Sequence, residues 1–99
     1  MYKLLMTWDI RQGKESEYFE YVTQEFAPRL IKLGIQPTEA WYTVYGKAPQ
    51  ILAGFVAEER STIEQLLAGD EWKSLHERLL GFVLNYNHKI VQATGNFQL

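Results

Sequence analysis

The stretch of sequence that decides the fold lies between Ala40 and Ala57 and reads AWYTVYGKAPQILAGFVA. Residues 46–49 in its centre, Gly-Lys-Ala-Pro, are typical of a turn between antiparallel strands. Strands are therefore predicted on the two sides of this turn, at about Thr38–Tyr45 and Gln50–Glu58.

Both faces of this predicted hairpin are apolar. Because successive side chains of a strand point to opposite faces, the first strand divides into Trp41 and Tyr45 and, on its other face, Ala40, Tyr42 and Val44. The second strand divides into Ile51, Ala53, Phe55 and Ala57 and, on its other face, Leu52, Gly54 and Val56. A sheet that contains this hairpin needs a cover on each of its faces.

The flanking sequence supplies two further strands and a long helix. Regular alternation of apolar and polar residues predicts a strand over Tyr2–Ile10. A helical repeat of apolar residues predicts a helix at about Lys14–Leu33, and Pro28 inside it is expected either to kink or to divide it. The last strand is predicted at about Tyr86–Ala93.

Two shorter helices are predicted between the third and fourth strands. Ser61 and Glu64 have the spacing of a capping box, in which each side chain bonds a backbone N–H of the first helical turn. Asp70 is predicted to cap the second helix, whose apolar stripe runs from Trp72 to Val83. The order β-α-β-β-α-β predicts one α+β domain with a ferredoxin-like fold over residues 1–99.

A homodimer is predicted from the number of layers. Helices on one side of a four-stranded sheet cover only one of its faces, and the chain has no further element for the second face. Since most soluble oligomers are symmetric homodimers, a second copy is expected to pack on the free sheet face. The alternative is an apolar face in contact with solvent, which monomers tolerate up to a few hundred Å2.

Composition excludes several classes of protein. The 99 residues are 46% hydrophobic and 22% charged, which is ordinary for a globular domain. A net charge of −2 and scattered basic residues argue against a nucleic-acid partner. The absence of cysteine excludes disulfides and thiolate metal sites. No stretch has the pattern of a membrane span or a signal peptide, so a cytoplasmic protein is expected.

The common catalytic and metal-binding signatures are absent. The sequence has no P-loop, dinucleotide fingerprint, G-x-S-x-G elbow or H-E-x-x-H motif. His76 and His88 are too far apart in sequence to form a metal motif, and no metal is expected. Gly54–Val56 matches the middle of the RNA-recognition consensus, but Ile51 and Ala53 stand where that motif needs a basic residue and a stacking aromatic.

Three features of the chain have counterparts in a known superfamily. They are the segment Trp41–Gly46, the apolar strand that contains Phe55, and Asp70–Trp72 at the start of the last helix. On these features the whole chain resembles the dimeric α/β-barrel superfamily, in which two ferredoxin-like sheets pack face to face, and within it the NIPSNAP-like domains. The resemblance implies a fold and a dimer. It implies no single reaction, because relatives include monooxygenases, isomerases, haem enzymes and domains of unknown activity.

His76 is the candidate catalytic residue. It shares the apolar stripe of the last helix with Trp72, four residues before it. In the haem-degrading branch of the superfamily, a histidine on the corresponding helix is the axial ligand, and an asparagine on the first strand and a tryptophan on the preceding helix assist it. Met6 and Leu66 occupy those two places here, so we expect no haem and no other cofactor. The alternative role of His76 is that of a partly buried packing residue with a hydrogen-bond partner.

A ligand pocket is the last prediction from the sequence. Its candidate lining residues are Tyr42, Tyr45, Trp41, Met6 and His76, either between sheet and helices or inside the barrel of the dimer. We therefore expect a homodimer that binds a small apolar or aromatic ligand. One alternative is a cofactor-independent monooxygenase or isomerase of the antibiotic-biosynthesis-monooxygenase type. The other is a structural dimer module without a ligand.

Overall fold

The four strands form one antiparallel sheet in the order β2-β3-β1-β4. The computed structural model describes residues 1–42 and 50–93. Within these ranges the elements are β1 (Tyr2–Ile10), α1 (Glu15–Tyr21), a π-helical turn (Val22–Phe26), α2 (Ala27–Lys32), β2 (Gln36–Tyr42), β3 (Ile51–Ala57), α3 (Arg60–Ala68), α4 (Asp70–Leu80) and β4 (Val83–Gln92). Each helical crossover passes over one intervening strand, as in a ferredoxin-like fold. The predicted fold class is confirmed, and the predicted turn at 46–49 lies outside the described residues.

The first helical layer stays helical on both sides of Pro28. The turn directly before it, Val22–Phe26, widens into a π-helix, and Pro28 then lies in the first turn of α2. In a regular α-helix a proline removes one backbone hydrogen bond, and its ring collides with the carbonyl four residues earlier. A wider turn at this point relieves that conflict without ending the helix. The helix predicted at about Lys14–Leu33 is therefore divided near Pro28, into α1, the π-helical turn and α2.

The starts of the two later helices differ from the prediction. Helix α3 begins at Arg60 and has no side-chain hydrogen bond at its cap, so the predicted capping box of Ser61 and Glu64 is wrong. Glu64 instead accepts a hydrogen bond from the Arg60 guanidinium at 3.0 Å, one turn earlier on the exposed side of the helix. Asp70 is the first residue of α4 and does not cap it.

Strand β4 begins before its predicted start at Tyr86. Val83 pairs with Ile10, so this residue belongs to the strand and not to the helical stripe. A register shift follows, and Asn85 within it has φ 57°. Asparagine tolerates this left-handed conformation better than most residues, so it suits an irregular point in the strand.

Alternate residues of the central strand β1 separate the hydrophobic core from the second face of the sheet. Leu4, Met6 and Trp8 are at most 1% exposed and lie beneath the helices. The helical side of the core is built from Tyr18, Tyr21, Phe26, Leu30, Ile63, Leu66, Trp72, Leu75 and Leu79. None of the helices formed within residues 1–42 and 50–93 has the length and apolar character of a membrane span.

The second face of the sheet, called the open face below, carries no helix of the described chain. Its side chains are those of Lys3, Leu5, Thr7, Asp9, Gln36, Glu39, Trp41, Leu52, Val56, Leu84, Asn87, Lys89 and Val91, with Gly54 among them. Trp41 pairs with Leu52, and Tyr42 pairs with Ile51 on the opposite face, which confirms the predicted alternation at these positions. The domain measures 37 × 32 × 19 Å. Its smallest dimension matches two layers of about 10 Å each.

An ion pair crosses the middle of the open face. Lys3 Nζ on β1 lies 2.6 Å from Glu39 Oε1 on β2, and strand β3 runs between them. The two side chains are 7% and 15% exposed. The hydrogen bond from Lys3 lowers the pKa of Glu39 below its usual range. A Cβ at Gly54 would lie 2.9 Å from Glu39 Oε1, so β3 needs a glycine where the carboxylate crosses it.

A β-bulge in β2 directs Glu39 to the open face. Pro37 pairs with Phe55, which faces the core, whereas Glu39 pairs with Gly54, which faces away from it. In a regular strand, residues two apart share a face. The extra residue Thr38 therefore moves Glu39 to the face where Lys3 can reach it.

We predict that Gly54→Ala lowers the free energy of unfolding by about 1–3 kcal/mol, the usual cost of overpacking. The new methyl group forces Glu39 away from Lys3. Urea unfolding measures the loss. In a Glu39→Ala background the same substitution should cost clearly less, because the atoms that the methyl group meets are then mostly absent. An equal cost in the two backgrounds would show that Glu39 does not require the glycine.

Candidate functional site

His76 lies in a cluster of four ring side chains between α4 and the edge strand β4. These residues, Trp72, His76, Tyr86 and His88, are called the histidine cluster below. The rings of Trp72 and His76 stack with their centroids 5.2 Å apart. Tyr86 stands edge-on to His76 at 4.5 Å, and its hydroxyl lies 3.0 Å from His88 Nδ1.

Regular spacing on two elements builds the histidine cluster. Trp72 and His76 are four residues apart on a helix and so share one face of it. Tyr86 and His88 are two residues apart on a strand and so share the face beneath α4. The helical spacing in the sequence predicted the first pair, and the second pair was not predicted. The i, i+2 spacing of Tyr86 and His88 in a strand indicates that these two side chains share a face. Only the fold brings them next to Trp72 and His76.

Burial sets the protonation states in the histidine cluster. Burial, and to a smaller extent the charge of His88, lowers the pKa of His76 below its usual value of 6.5. Burial also raises the pKa of Tyr86. The Tyr86 hydroxyl therefore keeps its proton at neutral pH, and it lies within hydrogen-bond distance of His88 Nδ1.

One nitrogen of the histidine cluster has no hydrogen-bond partner among the residues that the structure describes. His76 Nε2 is buried and makes no hydrogen bond within the described part of the chain. The hydrogen-bond partner that the packing interpretation expects is therefore missing at this atom. Buried polar atoms without a partner are uncommon in folded proteins, and each calls for a specific explanation.

The surroundings of His76 do not fit a haem. Met6 is fully buried in the core and Leu66 is only 7% exposed, so neither place is open to a macrocycle. The rings of Trp72 and Tyr86 occupy the space beside the imidazole. The absence of a haem and of other cofactors stays a prediction. No group of three or more metal-ligating side chains occurs among residues 1–42 and 50–93.

Aromatic packing continues from the histidine cluster into the core. Trp8 stacks on Tyr86 with centroids 6.0 Å apart and an angle of 12° between the rings. Its indole N–H donates to the Tyr18 hydroxyl at 3.0 Å, and burial raises the pKa of Tyr18 to about 12. Trp8 is therefore a core residue whose indole N–H has a hydrogen-bond partner. Its packing leaves little room beneath β1 for a ligand.

A groove lies on the opposite side of the sheet. This groove, called the sheet groove below, has a volume of about 300 Å3 and is lined by Leu5, Thr7, Leu52, Asn87, His88 and Lys89. Its floor crosses three neighbouring strands, because Thr7 pairs with both Leu52 and Asn87, and Leu5 pairs with Lys89. This volume lies at the small end of the range of sites for small molecules.

The residues predicted for a ligand pocket lie apart from one another. Met6 is in the core, and His76 is in the histidine cluster. Trp41 is on the open face and is 60% exposed, whereas Tyr42 belongs to the other face and is 54% exposed at the sheet edge. Tyr45 lies outside the described residues. None of the four described candidates lines the sheet groove, and their role in a pocket stays a prediction.

A second cleft lies beside the π-helical turn. It has a volume of about 340 Å3 and is lined by Glu17, Glu20, Tyr21, Gln24, Glu25, Arg78 and Phe82. Arg78 Nη1 lies 2.7 Å from Glu25 Oε1, and the guanidinium lies 4.7 Å from the centre of the Tyr21 ring. The arginine is thus already held by a carboxylate and an aromatic ring, and an exposed pair of this kind adds little stability.

Comparison with known proteins identifies the fold. No protein-family model matches the sequence, and no curated protein matches it. An uncharacterized NIPSNAP domain protein from Burkholderia xenovorans superposes with a TM-score of 0.72 over 99% of both chains, at 15% identity. A NIPSNAP family protein from Agrobacterium tumefaciens gives 0.67 over 95% of this chain and 93% of the other, at 20% identity. A protein from Nitrosomonas europaea, named provisionally as an antibiotic biosynthesis monooxygenase, gives 0.70 over 94% and 98%, at 9% identity.

The chain therefore has the ferredoxin-like fold of the NIPSNAP-like domains. The resemblance inferred from Trp41–Gly46 and Asp70–Trp72 is confirmed at the level of the fold. At identities of 20% or less, these structures assign no role to any residue of this chain. Function has to be argued from the sheet groove and the histidine cluster themselves.

We predict that His76→Phe leaves the free energy of unfolding at neutral pH unchanged or raises it. Phenylalanine keeps the ring packing and removes a buried atom that lacks a partner. A large destabilisation would show that Nε2 has a partner in solution, such as an ordered water.

The same variant should also change the response to acid. Because the pKa of His76 is lowered in the folded state, the unfolded chain binds the proton first, and stability falls as the pH drops below about 6.5. His76→Phe should lose less stability than the wild type between about pH 7 and pH 5. Urea unfolding at both pH values measures this difference, and equal losses would contradict the assignment.

Proposed function

We propose that this chain is a homodimeric domain that binds a small apolar or aromatic ligand in the sheet groove, between the open faces of two copies. The observation that carries the proposal is a groove of about 300 Å3 on a sheet face that no helix of the described chain covers. A second copy placed there would turn an open groove into an enclosed cavity. The cysteine-free composition fits a reducing compartment, so we keep the cytoplasm as the proposed location.

The open face has the composition of a surface that is buried in an assembly. Its half-buried apolar side chains are Leu5, Leu52, Val56 and Val91. Trp41 and Leu84 add large apolar side chains that are 60% and 44% exposed. Lys3 and Glu39 already neutralise each other at its centre. Covering this region therefore buries no charged group without a partner of opposite charge.

The distribution of charge favours a second copy as the cover. Asp9 and Lys89 place opposite charges on the same face. In a two-fold dimer the same patch of both subunits meets itself. A face with both signs and a neutral, apolar centre can therefore be complementary to itself, whereas a face of one sign would repel its own copy.

We predict a mass of about twice the 11.6 kDa of one chain in light scattering at micromolar concentration. Leu52→Arg should give a monomer, because it places a charge in the centre of the proposed interface. Ile31→Arg on α2 is the matched control: Ile31 is 40% exposed on the helical side of the domain, and this variant should remain a dimer. A monomeric wild type would refute the proposed assembly.

Ligand binding is tested with a neutral aromatic probe, naphthalen-1-ylmethanol. At a hundred times its dissociation constant, a ligand of the folded state adds about 2.7 kcal/mol of stability, so the melting temperature should rise. Leu52→Trp fills the sheet groove and should abolish this rise. Phe19→Trp, at a 48% exposed position on α1, should preserve it.

The outcomes of this test separate the proposed functions. A rise that persists in Leu52→Trp places the ligand outside the sheet groove and overturns the proposed site. A dimer that shows no rise with this probe favours the structural module without a ligand.

A cofactor-independent monooxygenase or isomerase of the antibiotic-biosynthesis-monooxygenase type is the second candidate function. The observation that favours it is His76 Nε2, a buried nitrogen that makes no hydrogen bond within residues 1–42 and 50–93, on an imidazole whose pKa is lowered. A neutral imidazole with a free nitrogen is the form that removes a proton from a substrate. Turnover that is lost in His76→Phe while binding of the probe is retained would support this function.

A further inference from the structure

We propose that the sheet groove selects ligands with an anionic head group, namely a carboxylate on an apolar or aromatic body. This inference rests on the proposed binding function of the groove and names the chemical class of its ligand. It follows from the groups that line the groove and from the partners that the nearby charges already have.

Two side chains from the edge strand offer hydrogen-bond donors to the groove. Lys89 contributes an ammonium group that pairs with no carboxylate in the described part of the chain. The side-chain oxygen of Asn87 accepts the backbone N–H of His88 at 2.9 Å. The amide nitrogen of Asn87 is therefore the group left for a ligand. No aspartate or glutamate is among the described residues that line the groove.

The carboxylates of the open face are engaged elsewhere. Glu39 binds Lys3 at 2.6 Å. Asp9 accepts hydrogen bonds from the Asn85 side chain at 3.0 Å and from the backbone N–H of Gln50 at 2.8 Å. These bonds lower the pKa of Asp9, so it stays ionised and held in place. An anion from outside the chain is then the natural partner of Lys89.

The groove has an apolar end and a donor end. Leu52 and Leu5 lie on the two inner strands β3 and β1, whereas Lys89 and Asn87 lie on the neighbouring edge strand β4. A flat compound of one or two rings can rest on the leucines while its head group reaches the edge strand. The two oxygens of a carboxylate match the two donors, and hydrogen bonds between charged groups are stronger than those between neutral ones.

The ligand class is tested with a pair of probes that share a ring system. They are 1-naphthoic acid and naphthalen-1-ylmethanol, which differ only in the head group, and their affinities are measured by calorimetry at low salt. The wild type should bind the acid at least about tenfold more tightly, a difference of about 1.4 kcal/mol. Lys89→Met should lose the preference and bind the two probes with equal affinity.

Two further variants control for nonspecific charge and for folding. Lys89→Arg keeps the positive charge and should keep the preference for the acid. Lys73→Met removes an exposed lysine of α4, far from the groove, and should behave as the wild type does. Equal affinities in the wild type, or a preference for the acid that persists in Lys89→Met, would overturn this inference and leave the groove as a binding site. Binding of neither probe would overturn the proposed function as well.

Discussion

The second face of the four-stranded sheet, which no helix of residues 1–42 and 50–93 covers, is the constraint on which the rest of this structure depends. Both helical crossovers lie on one side, so the core forms there, around Leu4, Met6 and Trp8. Every residue between them on β1 must point the other way. The chain thus has one face that folding buries and another that folding leaves open. In the proposed function, the open face is where both the second copy and the ligand bind.

The Lys3–Glu39 pair removes net charge from the centre of the open face. The two residues are 36 positions apart in sequence, and their contact needs a bulge at Thr38 and a glycine at position 54. A buried ion pair is weak evidence for stability, because desolvation offsets much of the attraction, but the loss of one partner is strongly destabilising. The pair is better understood as a contact that fixes how β1, β2 and β3 are arranged than as a source of stability. It holds two long side chains flat over β3 and neutralises the centre of a face that is otherwise apolar.

The sequence predicted those features that depend on local periodicity. Alternation in Tyr2–Ile10 and across Trp41, Tyr42 and the strand after them was sufficient to assign both faces of three strands, because a period of two is a property of each strand alone. The helical stripe around Trp72 was recognised for the same reason.

Details set by tertiary context could not be predicted in the same way. The capping box at Ser61 failed because the helix begins at Arg60 after the N-cap residue Glu59, two residues earlier than a cap at Ser61 requires. The π-helical turn before Pro28 was one of several ways to accommodate a proline, and the sequence pattern does not rank them. The sheet groove was missed because Leu5, Leu52 and Lys89 come from three strands, and nothing in their spacing along the chain links them.

The two candidate sites lie on opposite faces of the same edge strand. Tyr86 and His88 share the face beneath α4 with His76, whereas Asn87 and Lys89 belong to the other face. The sheet groove is lined by Asn87 and Lys89 and also by His88, which borders both sites. A ligand that rests on Leu5 and Leu52 in the groove lies on the other face of the sheet from His76. Proton transfer at His76 would need a substrate beneath α4, where the rings of Trp72 and Tyr86 already occupy the space. Binding in the groove requires no such rearrangement, and for this reason the geometry favours a binding domain over an enzyme that uses His76.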